Sequence, residues 1–171
     1  GWTRWVLEQF EFDYAQLHDA EIRAGDLAEA YDVIVLPDAS YSSMLRGLSA
    51  DRMPAEYAGG MTIRGAASLY DFVVEGGTLV AMDSASELPL EIFDLPIRDV
   101  TSGQSDDDFF IPGTLLRLDV DPEHPLGYGM PEETTAFFSR SPAFALGRPL
   151  GRRERMVGAT PEPDPAVTAV A

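Results

Sequence analysis

Two short runs nearly free of polar residues, Val33-Ile34-Val35-Leu36 and Thr78-Leu79-Val80-Ala81, lie on either side of a helix-length segment. A strand that does not alternate polar with apolar has no face to give to water. Such runs belong inside a parallel sheet covered on both sides. Pro37 ends the first run, because it cannot donate to a ladder. Between the runs, MTIRGAASLYDFVVEGG spaces Ile63, Ala66, Ala67, Tyr70 and Val74 along one helical face and stops at Gly76-Gly77. Strand, helix and strand in alternation predict an α/β domain with a three-layer, mostly parallel open sheet.

The flanking segments extend this reading. In GWTRWVLEQFEF the residues Trp2, Trp5, Val6 and Phe10 recur at helical spacing, and the stripe is read as core. Tyr14 to Leu17 is a strand candidate, and DAEIRAGDLAEAY a short helix or turn. Ala39 to Gly60 is expected to be irregular. Asp83 to Ser86 holds helix-capping residues, Glu87 to Phe93 a short helix, and Ile97 to Val100 a strand. In TLLRLDV, Leu116, Leu118 and Val120 alternate with Arg117 and Asp119, the pattern of a half-exposed strand. TTAFFSRSPAFAL offers one or two more, so antiparallel edge strands are expected near the C-terminus. One domain is read over residues 1–146. Residues 147–171, Arg-rich and then Pro- and Ala-rich, form a frayed tail.

Composition narrows the function classes. The 171 residues carry 29 Asp and Glu against 12 Arg and no Lys, a formal charge of −17. A chain this acidic is a poor partner for nucleic acid or anionic lipid. Hydrophobic residues make up 45%, enough for a core. No apolar run reaches membrane-spanning length, so no membrane insertion is expected. Without cysteine there is no disulfide, thiolate metal site or thiol nucleophile.

The ordered segments GWTRWVLEQF, DAEIRAGDLAEAYDVIVLPD, YAGGMTIRGAASLYDFVVEGGTLVAMDSASEL and FFIPGTLLRLDVDPEHPLGYGMPEETTAFFSRSPAF carry a resemblance. Together they resemble the glutamine-amidotransferase-like C-terminal domain of bacterial zinc carboxypeptidases of the carboxypeptidase A type, over Gly1 to Leu146. The resemblance implies a class I amidotransferase-like or flavodoxin-like fold and an accessory, non-catalytic role beside an upstream peptidase domain. It implies no cofactor in this segment, the zinc belonging upstream, and suggests an extracellular or periplasmic setting. Family members have a strand ahead of the first helix, and that strand is missing from this sequence. The chain is then expected to fill the slot with another segment, pair with a second copy as a homo-oligomer, or be marginally stable.

Three constellations compete with the accessory reading. His18-Asp19-Ala20-Glu21 has the HxxE spacing of a zinc carboxypeptidase, and His124 is the one other histidine, so His18, Glu21 and His124 form a conceivable three-ligand zinc site. HxxE arises readily by chance, and the preferred reading makes His18 a surface or strand-end residue and His124, in DPEHP, a turn residue. A hydrolase using Ser84 with His124 as base is the second. The turn after TLVAM is where amidotransferase-like folds hold their nucleophilic cysteine, but no G-x-S-x-G surrounds Ser84. Third, Asp106, Asp107 and Asp108 could contact Ca²⁺, although the loop lacks EF-hand spacing. A ligand on an open α/β sheet favours the crevice beyond the strand C-termini, which makes Asp38, Tyr41, Asp83 and Ser84 the ligand-binding candidates. As a contact surface, Ala39 to Gly60 offers Tyr41, Met44, Leu45, Leu48, Met53 and Tyr57.

Overall fold

The computed structural model describes residues 1–54, 57–105, 107 and 109–147. Two of the three carboxylates of the calcium reading, Asp106 and Asp108, and the frayed-tail reading from residue 148 onward lie outside the described residues. The protein is mixed α/β. It divides into two compact units, Gly1–Asp94 and a second that begins at Leu95.

In the first unit the helices are α1 (Trp2–Gln9), α2 (Asp19–Ala24), α3 (Tyr41–Arg46), α4 (Thr62–Val74) and α5 (Glu87–Ile92). The strands β1 (Val33–Leu36) and β2 (Thr78–Ala81) fall on the two apolar runs and pair in parallel, Val33 opposite Thr78 and Leu36 opposite Ala81. Ile34 and Leu36 point to one face and are buried, while Val33 and Val35 point to the other and are exposed. α4 crosses between the strands and buries Gly65, Ala66, Leu69 and Phe72. Ala66, Leu69 and Phe72 join Ile22, Leu27, Ile34, Leu36, Met61, Ala85 and Leu88 in one core cluster.

Four expectations within this unit need correction. α4 has the expected span but not the expected face. Of the stripe Ile63, Ala66, Ala67, Tyr70 and Val74, Ala66 alone is buried. The helix carries two apolar stripes, and burial follows the one that meets Ile34 and Leu36. The α1 residues Trp2, Trp5, Val6 and Phe10 are exposed rather than core. The two indole rings meet edge to face, with centroids 5.9 Å apart. Tyr14 to Leu17 forms no strand. Instead the Tyr14 hydroxyl donates to Glu8 Oε1 (2.7 Å), which also accepts from Arg4 Nε (2.7 Å). Finally, Ala39 to Gly60 contains α3, whose N-cap Ser40 accepts through its hydroxyl from the Ser43 N–H (3.2 Å). At six residues α3 is too short to show periodicity. Behind it the chain folds back on itself, with the Gly59 N–H donating to the Leu48 carbonyl (2.7 Å) and the Met61 N–H to that of Met44 (2.9 Å). Gly47, at φ +63°, makes this possible, since a Cβ there would fall on the Gly59 carbonyl.

The second unit holds two antiparallel pairs. β3 (Ile97–Asp99) pairs with β6 (Phe144–Leu146). β4 (Thr114–Asp119) pairs with β5 (Glu133–Phe138) in register from Thr114 opposite Phe138 to Asp119 opposite Glu133. The expected alternation is present: Leu116 and Leu118 are half-buried, while Arg117 and Asp119 are exposed. These antiparallel strands form two-stranded sheets of their own, and among the described residues no third strand joins β1 and β2.

Candidate functional site

Because β1 and β2 run in parallel and register Leu36 with Ala81, their C-terminal ends coincide. The Met82 N–H donates to the Leu36 carbonyl (3.0 Å), carrying the pairing one residue past β2. Each chain then turns away. Pro37 releases β1 into Asp38, and Asp83 turns β2 with φ +49° into a 3-10 turn over Asp83–Ser86. A left-handed residue other than glycine costs about 1 kcal/mol, and Asp is among the residue types that tolerate it best.

The two turns meet. The Ser84 N–H donates to Asp38 Oδ1 at 3.3 Å, across 46 residues of sequence. The Ser86 hydroxyl donates to the Asp83 carbonyl, which fixes the turn on its other side. The structure therefore brings Asp38 and Ser84 together with Asp83 beside them. Tyr41 starts α3 and packs against the hydrophobic core. The expectation that Asp83, Ser84 or Ser86 would cap the next helix takes a different form. Met82 and Ser86 hold the two N-cap positions, and neither makes a side-chain capping bond.

Asp38 and Asp83 are exposed and Ser84 is half-buried. The rim is thus an open ledge carrying two carboxylates. Sequence reasoning missed the sharpness of the turn at Asp83. The signal was a non-glycine turn residue set directly between a strand and a helix start, with no G-x-S-x-G to mark it.

The histidines resolve differently. His18 is the N-cap of α2, and its backbone N–H donates to Glu21 Oε2 (2.8 Å). The His-x-x-Glu spacing is here the spacing of a capping box, in which the residue at N3 reaches back to the cap. The His18 ring lies 5.8 Å from that of Tyr57. Burial raises the Asp19 carboxyl above its ordinary pKa, with the nearby Arg23 and His18 pulling the other way. His124 caps a 3-10 turn in the second unit, its Nδ1 accepting from the Leu126 N–H (3.2 Å). His18 and Ser84 belong to the first unit and His124 to the second. Among the described residues no group of three or more His, Asp and Glu side chains is arranged to hold a metal ion.

A depression of about 300 Å³ opens beside α4, lined by Asp26 and Leu27 after α2 and by Arg64, Ser68, Asp71 and Glu75 on and just past α4. None of the four rim candidates lines it. Of the proposed contact residues, Tyr41, Met44 and Leu45 pack on the core, while Leu48, Met53 and Tyr57 are exposed. Among the described residues no helix is long and apolar enough to cross a membrane.

No family model, curated protein or solved structure matches this chain.

Proposed function

We propose that the chain is a non-catalytic accessory module whose first unit works by docking against a larger partner. The observation that supports this reading is the outward face of β1 and β2, where Val33 is 52%, Val35 39% and Val80 42% exposed. A parallel pair is ordinarily covered on both faces, because its strands lack polar alternation. α4 covers one face here. Its second apolar stripe, with Ile63, Tyr70 and Val74 exposed, is what a helix between two layers would carry.

On this reading β1 and β2 belong to a mostly parallel three-layer sheet of the amidotransferase-like or flavodoxin-like type. The partner is the catalytic domain of a zinc carboxypeptidase-like protein, with the zinc held there and the whole working outside the cytoplasm. The Asp38 and Ser84 ledge would then hold substrate or surface groups near the docked domain.

Hydrogen exchange on this chain, alone and joined to such a peptidase domain, tests the reading. Amides at Val33, Val35 and Val80 are expected to slow at least tenfold on joining. Val35→Asp with Val80→Lys should abolish the slowing while the isolated chain still folds, since both side chains already meet water and the two charges, directly opposite in the ladder, are of opposite sign. Unchanged exchange would overturn the proposal. Zinc bound one per isolated chain, with peptide hydrolysis lost in His18→Ala or Ser84→Ala, would replace it with the hydrolase reading.

A further inference from the structure

The connection between β4 and β5 is thirteen residues long, Val120 to Glu132, yet it is closely ordered by its own hydrogen bonds. The Val120 N–H donates to the Glu132 carbonyl (2.8 Å) at its base. The Glu123 N–H donates to Asp121 Oδ1 (2.9 Å), the Leu126 N–H to His124 Nδ1 (3.2 Å), and the Gly127 N–H to the His124 carbonyl (2.8 Å). The Met130 N–H donates to the Gly127 carbonyl (2.9 Å). Pro125 presets the backbone of the 3-10 turn. Gly127 is buried, and a Cβ there would strike the Asp121 carbonyl.

This framework holds two large side chains out in water. Leu126 is 91% and Tyr128 87% exposed, the highest values among the exposed large hydrophobics of the described residues. Turns are built mostly of Gly, Pro, Asn, Asp and Ser, and this one adds two large side chains to its Pro and Gly residues. Leucine and tyrosine on a hydrogen-bonded turn form a preorganised anchor, and preorganisation removes the ordering cost of docking.

The charges around the anchor select its socket. Between Asp119 and Glu133 the chain carries five carboxylates, Asp119, Asp121, Glu123, Glu132 and Glu133, and no Arg or Lys. An anionic lipid surface would repel this tip. A second copy meeting it tip to tip would bring the same five carboxylates against it. We propose that the Leu126–Tyr128 tip is a docking anchor for another protein that offers an apolar socket rimmed by Arg or Lys. The proposal rests on the second unit and is independent of the reading of β1 and β2.

The test places a photo-crosslinking residue in the full chain, Tyr128→p-benzoylphenylalanine, with Thr135→p-benzoylphenylalanine on the outer face of the hairpin as control, and irradiates the cells that make it. The expected product is one adduct specific to position 128, its crosslinked peptide mapping to apolar residues bordered by at least two Arg or Lys. The captured protein, purified, should bind the unlabelled chain. Leu126→Ser or Tyr128→Ser should weaken that binding about tenfold or more. Glu123→Lys with Glu132→Lys should do the same, and binding should fall several-fold between 0.05 and 0.5 M salt, roughly as screening shortens. All four side chains are exposed, so the variants should melt as the parent does. Absence of an adduct overturns the proposal. So does an adduct to lipid, to the same chain or to a second copy, or binding indifferent to salt and charge reversal.

Discussion

Between Gly1 and Asp94 two four-residue strands run in parallel, joined through α3 and α4, and ten buried residues, Ile34 and Leu36 of β1 among them, form one core. From Leu95 onward the strands pair antiparallel, and among the described residues Ala145 is the one buried hydrophobic. The difference follows from how each pairing is closed. A parallel pair needs a crossover, and a crossover helix supplies a second apolar layer to pack against. An antiparallel pair needs no crossover helix, so it can form without a second layer, and two strands alone are marginal in water. The first unit is held by packing across layers. The second is held by ladders and turn hydrogen bonds.

The largest effect should therefore come from truncating the first core. Leu69 is fully buried between α4 and the strands, and Leu69→Ala should cost about 3 kcal/mol, since deletion leaves a cavity as well as lost transfer energy. Leu116→Ala, in a half-buried position of β4, should cost about 1 kcal/mol. Urea unfolding followed by far-UV circular dichroism measures both. Equal costs would mean that the second unit is held by packing as much as the first.

Next in size is the fold-back that closes α3 onto α4. Gly47→Ala puts a Cβ onto the Gly59 carbonyl at a left-handed φ, so it should destabilise the first unit by about 2 kcal/mol. Amide exchange is the sharper readout. The Gly59 and Met61 amides, bonded to Leu48 and Met44, should lose protection together while those of β4 and β5 do not change.

Legibility followed the same division. β1 and β2 were readable to the residue as strands but not in their burial: the unalternating runs read as covered on both faces, whereas Val33, Val35 and Val80 on one face are exposed. β4 was readable from the opposite signal, the strict alternation of Leu116, Arg117, Leu118 and Asp119. α4 was readable as a helix but not in its orientation, because Ile63-Ala67-Tyr70-Val74 and Ala66-Leu69-Phe72 are both apolar stripes and only the strands decide between them. α1 misled for a related reason: helical spacing of Trp2, Trp5 and Val6 reports amphipathicity, not the presence of something to cover it. At the rim, strand order was enough to bring Asp38 and Ser84 together. The His18 spacing was ambiguous because a capping box and half a zinc site share the same three-residue interval.

That ambiguity can be sharpened with a smaller effect. Glu21→Ala removes the acceptor for the His18 N–H and should cost about 1 kcal/mol, whereas Glu21→Gln keeps an acceptor and should cost less than half of that. A metal ligand would behave differently, since glutamine is a poor substitute for carboxylate. Thermal melts of both variants, with and without added zinc, separate the two roles. A zinc-dependent rise in the parent's melting temperature that both variants lose would make Glu21 a ligand after all.

The smallest effects are electrostatic, and the first unit contains a pair of opposite sign. Burial holds the Asp19 carboxyl above its ordinary pKa, against the pull of Arg23 and His18. Ionising it therefore costs the folded state. That cost is absent below the unfolded carboxylate range, grows as pH rises through the folded value, and is complete at neutrality. Glu8 is the reverse, its pKa lowered first by the hydrogen bond from Arg4 and then by that from Tyr14. Its contribution is present at neutral pH and is lost as pH falls through the folded value. Asp19→Asn should then raise the melting temperature slightly at pH 7 and match the parent near pH 3. Glu8→Gln should lower it slightly at pH 7 and likewise converge in acid. Both shifts should be small, because these groups meet water and an exposed ion pair such as Arg4–Glu8 contributes little. The discriminating observation is the sign at pH 7. If Asp19→Asn destabilised there, attraction from Arg23 and the α2 N-terminus would outweigh burial, and α2 would owe more to its charges than to the core beneath Ile22.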